Sequence, residues 1–134
     1  MGYKSETAIT IENEAFKELL AKAKAECIDA FAFIKSASIY RTDKFTTMHF
    51  DWVKWYDDYE DVQFIEDFIS EIPHVFKRIG EDYDDIDSRE VDVMDCDMYD
   101  CISIVRSLDI ESAGEQITID GKGVETDGFK QQSA

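Results

Sequence analysis

Residues 3–27, YKSETAITIENEAFKELLAKAKAEC, decide how the rest of the chain is read. Over residues 3–11 the side chains alternate. Thr7, Ile9 and Ile11 fall on one side, and Glu6, Ala8 and Thr10 on the other. A period of two with β-branched residues predicts a half-buried strand. The period then changes. Asn13 is a plausible N-cap, and Phe16, Leu19, Leu20, Ala23 and Cys27 recur at helical spacing. Glu18 and Lys22 stand four apart on the outer side, a favourable helical pair. The chain therefore opens strand, then helix.

The pattern continues outward from there. Residues 31–41 (FAFIKSASIYR) read as a strand, residues 42–44 as a turn, and residues 45–56 (FTTMHFDWVKWY) as the hairpin partner. Met48, Phe50 and Trp52 share one face, but Val53 and Trp55 fall on the other. Either both faces are covered, or a bulge near Asp51 shifts the register. Asp58 can cap a second helix, with Asp61 three residues on. Val62, Ile65, Ile69 and Ile72 give that helix its apolar stripe, and Pro73 stops it. Residues 74–80 predict a short strand, while residues 81–100 are too acidic to assign. Residues 101–110 alternate with Ile102, Ile104, Leu108 and Ile110 on one face, and residues 116–119 predict an edge strand. The expectation is a single α+β domain over residues 1–119, followed by a flexible polar tail over 120–134. Burying both helical stripes at once requires both helices on one face of a mixed or antiparallel sheet. That is a two-layer sandwich, ferredoxin-like or related.

With 134 residues, 44% hydrophobic and 13% aromatic, the chain can build a core despite a net charge of −17. The charge is uneven. Residues 1–50 hold seven acidic and seven basic side chains, whereas residues 51–111 hold twenty acidic and five basic. A polyanionic surface repels nucleic acid and anionic membranes, so neither is expected as a direct partner. No apolar run is long enough for a membrane span, and the N-terminus lacks the pattern of a signal peptide. Gly2 fails the myristoylation pattern because Glu6 stands where Ser or Thr is needed. Three cysteines without a secretion signal read as reduced thiols, which places the protein in the cytoplasm.

No catalytic motif stands out. There is no nucleophile elbow, dinucleotide turn or phosphate loop. Cys96 and Cys101 are spaced too widely for a zinc knuckle, and His49 and His74 lie far off in sequence, so both read as structural. Calcium loops counted from Asp82 or Asp95 fail at position five, where Ile86 or Tyr99 stands, and lack the glycine at six. No metal, no cofactor and no enzymatic activity are expected.

Four segments have a familiar look: MGYKSETAITI at the start, WVKWYDDYEDV at 52–62, RIGEDYDDI at 78–86 and VRSLDIE at 105–111. Together they resemble a group of small phage and prophage proteins that open Met-Gly-Tyr-Arg/Lys-Ser and later carry Ile-Gly-Glu-Asp-Tyr-Asp-Asp-Ile. The resemblance covers roughly residues 1–111. It implies a phage origin, hence the cytoplasm of a host cell, and little about chemistry.

The localised acid is the sharpest functional feature. Asp57, Asp58, Glu60, Asp61, Asp67 and Glu71 precede or line the second helix, with no basic residue between Lys54 and Lys77. Glu81, Asp82, Asp84, Asp85 and Asp87 follow and make one negative surface if the helix end and next strand lie close. Carboxylates about 5–6 Å apart on a helix face imitate a run of phosphates. Tyr56, Tyr59 and Tyr83, each flanked by acids, are the aromatic candidates for contact. The expected function is binding to the basic, nucleic-acid-binding surface of a host or defence protein, by mimicry of nucleic acid. The alternatives are a small-molecule or divalent-metal binder using the Asp82–Asp87 cluster, and a virion structural or assembly component.

Overall fold

The opening strand, β1 (Ser5–Glu12), lies in the middle of the sheet. The computed structural model describes residues 2–93, 98, 101–104, 108–119 and 125–126. After β1 come helices α1 (Asn13–Glu26) and α2 (Ile28–Ser36), strands β2 (Ser38–Arg41) and β3 (Phe45–Val53), helix α3 (Glu60–Ile69) and strands β4 (His74–Gly80) and β5 (Ile86–Val91). Two-residue strands β6 (Ser103–Ile104) and β7 (Leu108–Asp109), a 3-10 turn (Glu111–Ala113), β8 (Glu115–Ile119) and β9 (Glu125–Thr126) complete the described chain. The main sheet has seven strands in the order β5-β4-β1-β3-β2-β8-β9, and every pairing is antiparallel. The result is the α+β sandwich read from the sequence. Its inner four strands, β4-β1-β3-β2, are compatible with the ferredoxin-like expectation.

Three helices, not two, cover one face. Residues 31–36 belong to α2 and not to a strand, so the predicted strand over 31–41 shrinks to residues 38–41. Ala30, Phe31 and Ile34 are the buried residues of α2, at the spacing of one helical face. They join Phe16, Leu19, Leu20 and Ala23 of α1 and Val62, Ile65 and Ile69 of α3 over Ile9, Ile11, Met48, Phe50 and Phe76 of the sheet. At the centre, Trp55 has ring centroids 5.3 Å from Phe50 and 5.9 Å from Phe76. Each buried side chain of this size contributes about 1.5–3 kcal/mol by leaving water.

The second face is covered too, so β1 is not half-buried. Every residue from Ser5 to Ile11 is buried. Ala8, Phe45, Val75 and Ile79 pack there against Met98, Cys101, Ile102, Leu108 and Ala113. That cover explains the alternation in residues 101–110. The segment is not one strand: β6 and β7 pair antiparallel with each other, Ile104 opposite Leu108. Ile102, Leu108 and Ile110 pack on the sheet face. Residues 81–100, unassigned from the sequence, contain β5. Residues 116–119 do form a strand, β8, but β9 lies outside it. β9 falls within the stretch read as a tail, of which the remainder lies outside the described residues.

Of the two readings near Asp51, a bulge is present alongside the covered second face. Thr7 pairs with Phe50 and Ser5 with Val53, so Asp51 and Trp52 together oppose Glu6. Trp52 takes the left-handed φ of 52° and is 42% exposed. Val53 and Trp55 thereby return to the helix-covered face.

The predicted caps are placed differently. α1 begins at Asn13 itself, after Glu12. The Asn13 amide donates to the Asp43 carbonyl (3.0 Å), and Thr46 Oγ1 donates to Asn13 Oδ1 (2.7 Å). Asn13 thus ties the helix start to the β2–β3 turn. α3 begins at Glu60 after Tyr59, so Asp58 does not cap it, and Asp61 Oδ1 accepts from the Val62 N–H instead.

Candidate functional site

The carboxylates gather on the outer side of the helix layer. Three adjoining grooves run between α1, α2 and α3. The first, about 620 Å³, is lined by Asp29, Ala32 and Phe33 of α2, by Glu60 and Asp61 of α3, and by Asp58 and Tyr59 before it. The second, about 440 Å³, shares Asp29 and Glu60 with the first and adds Glu26, Asp67 and Ile28. The third, about 640 Å³, shares Glu26 and Asp67 with the second and adds Glu18, Lys22 and Glu71. Eight carboxylates and a single ammonium, Lys22, line the three together. Ile28 is 63% exposed in their midst, and Tyr59 and the half-buried Phe33, Phe64 and Phe68 supply further apolar surface.

The placement follows from the helices. Asp67 lies on the exposed side of α3, away from the buried stripe of Val62, Ile65 and Ile69, and Glu71, in the turn just past the end of the helix, lines the same groove. Glu60 and Asp61 occupy the first turn of α3, where negative charge is favoured by the helix dipole. Asp29 holds the corresponding position in α2. Sequence reading missed Glu18, Glu26 and Asp29 because residues 1–50 are neutral in sum and α2 was read as a strand. The signal was present in the i,i+4 positions of Lys22 and Glu26, which continue the outer face of α1.

The acids of residues 81–87 sit elsewhere, and several have work within the fold. Asp85 receives two hydrogen bonds from Arg78, 2.8 Å to Oδ1 and 3.2 Å to Oδ2, and one from the Tyr3 phenol, 2.6 Å. The Arg78 bonds, with the Tyr3 bond next, hold the Asp85 carboxyl below the usual carboxylate range. For Tyr3, the Asp82 N–H on the phenol oxygen acts to lower its pKa. The bond to Asp85, burial and two nearby carboxylates outweigh it, and the phenol lies above its ordinary value. A Cβ at Gly80 would strike Asp85 and the Tyr3 phenol, so glycine there permits the close approach. Glu81 accepts the Lys4 N–H at 2.6 Å. Asp82 and Asp84 are exposed, Asp87 is half-buried opposite Arg78, and Tyr83 is 78% exposed.

The turn and the start of α3 meet through Tyr3, whose backbone N–H donates to the Tyr56 hydroxyl at 2.6 Å. The strand acids thus approach the start of α3 and not its end. Tyr56 is half-buried and meets Tyr59 in a tilted ring contact, centroids 5.0 Å apart and planes at 57°. Asp57 is exposed between them. Glu66 is spent internally, accepting from Trp55 Nε1 (3.0 Å) and Arg89 (2.7 Å).

No protein-family model, curated protein or solved structure matches the chain. Among the described residues, no helix is long and apolar enough to cross a membrane.

Proposed function

We propose that this protein binds a basic surface of another protein through the acidic helix layer, occupying a site that otherwise takes nucleic acid. The observation that carries the reading is the continuity of the three grooves: eight carboxylates against one ammonium, with Ile28 and Tyr59 exposed among them. An ordinary solvated helix face mixes its signs. This one is acidic but for Lys22 and carries apolar anchors, the composition of an interface steered by charge and held by desolvated contacts. The reading is non-enzymatic, and a phage-encoded protein directed at a host or defence protein in the host cytoplasm fits it.

The test is capture from bacterial lysate on immobilised protein at low salt, with a quintuple variant (Asp58→Asn, Glu60→Gln, Asp61→Asn, Asp67→Asn, Glu71→Gln) in parallel. Losing first-turn charge costs α3 about 0.3–1 kcal/mol per residue at most. Asp67 and Glu71 are exposed, where such substitutions change stability by no more than about 0.5 kcal/mol. The variant should therefore stay folded. A basic partner that binds only the parent, elutes at moderate salt and is displaced by added DNA or RNA supports the reading. Retention by the variant, or indifference to nucleic acid, refutes it.

A further inference from the structure

We propose that Glu6, His49 and Asp51 bind one divalent transition-metal cation of the Zn²⁺ class on the sheet face opposite the helices. That face carries the apolar Ala8, Phe45, Val75 and Ile79 under Leu108 and its neighbours, with Thr10 and Thr47 hydrogen-bonded to each other at 2.7 Å and the half-buried Lys77 beside Ala8. Yet Glu6, on the central strand, projects into it at 4% exposure. A buried carboxylate costs several kcal/mol unless its charge is compensated, and strand packing gives no reason to keep one. Its Oε1 accepts the Leu108 N–H at 3.2 Å, and its Oε2 lies 2.7 Å from His49 Nε2.

The backbone aims the other two ligands at the same point. His49 pairs with Ala8 across β1 and β3, and so shares the far face with Glu6. Asp51, two residues on from His49 in β3, falls on that same face and lies opposite Glu6 where the bulge begins. One donor atom from each residue lies within 4.8 Å of the others. Around Zn²⁺, ligand atoms about 2.0–2.2 Å from the metal stand roughly 3.3 Å apart, within reach of small rotations. The metal takes the place of the hydrogen between Oε2 and Nε2, and the neutral ring carries its proton on Nδ1 instead. The Leu108 N–H orients the carboxylate, in the manner of outer-shell partners. One imidazole among two carboxylates favours Zn²⁺ over Mg²⁺ and Ca²⁺, which prefer all-oxygen sites. Burial falls from Glu6 through half-buried His49 to exposed Asp51, so the open coordination positions face water. No spacing motif announces the set, because Glu6 and His49 are 43 residues apart.

The test is calorimetric titration of the whole protein with ZnCl₂, MgCl₂ and CaCl₂ in chelator-free buffer. One equivalent of Zn²⁺ should bind at least about 10-fold more tightly than the other ions. Asp51→Asn and His49→Ala should each weaken it by about 10-fold or more. A surface control, Asp58→Asn with Asp67→Asn, should leave it unchanged. Equal weak binding of all three ions, which reports only screening of the net charge, overturns the proposal, as does an unchanged affinity in both variants. A Co²⁺ complex with thiolate charge-transfer bands would place the ion on cysteine and equally overturn it. Should His49→Ala fail to fold, the exposed Asp51 decides alone.

Discussion

Trp52 holds a φ of 52° at the β3 bulge, a conformation that a bulky L-residue rarely adopts. Replacing it by glycine and by alanine removes the same indole contacts in both variants. Their difference therefore isolates the backbone. Alanine in the left-handed region costs about 1–2 kcal/mol. Glycine escapes that cost but loses about 0.5–1 kcal/mol more conformational entropy on folding. The balance puts Trp52→Gly above Trp52→Ala by about 0.5–1 kcal/mol, or roughly 2–4 °C in Tm for a chain of this size. At Ser88, exposed in the regular strand β5, only the entropy acts and the order reverses, with alanine above glycine. Paired urea unfolding curves at both positions read the sign directly. If Trp52→Ala proves as stable as Trp52→Gly, or Ser88 shows the same order as Trp52, the bulge does not carry the strain assigned to it.

Asp85 supplies a pH dependence. Its folded pKa lies below the unfolded value, so its stabilisation is complete above the unfolded pKa and lost as pH falls through the folded one. Asp85→Asn should flatten the acid limb of the stability curve, and parallel curves for parent and variant below neutral pH would contradict this. Phe76→Ala, at a 1% exposed site touching Trp55 and Arg89, should cost about 3–5 kcal/mol by denaturant titration. Gly114→Ala must overcome both a φ of 97° and a clash with the Arg41 carbonyl, so β8 should dock poorly. Faster hydrogen exchange in residues 115–119 than in β1 would register it.

Legibility followed local physics. β1 and α1 were readable because period and composition agree over residues 3–27. Around Asp51 two readings stayed open, because Val53 and Trp55 fall opposite Met48, Phe50 and Trp52 in a regular strand, and the fold has both, a bulge and a sheet covered on each face. α2 was not, since Phe31, Phe33 and Ile34 carry strand propensity while their helical form is imposed by packing on α1 and α3. β5 was hidden by its charge: Asp87, Arg89 and Glu90 suit a solvent-facing edge and leave no apolar alternation to detect. For the candidate surface, the acids of α3 could be read directly, but Glu18, Glu26 and Asp29 join them only once the three helices are side by side. Likewise Asp85 counts as acid in the sequence, and only the folded turn shows its charge already matched by Arg78.

The central place of β1 has a consequence for synthesis. The strand is made before every strand it pairs with. Its partner β3 follows at Ile9↔Met48, its other neighbour at Ile9↔Phe76, and the Leu108 N–H reaches Glu6 across 102 residues. Such remote pairings close slowly, because loop entropy must be overcome before any contact rewards it. A ribosome-bound chain that has not yet reached β4 therefore carries β1 with one side of its backbone unpaired and its far face bare. Half-finished molecules should be prominent clients for chaperones that recognise exposed apolar strands.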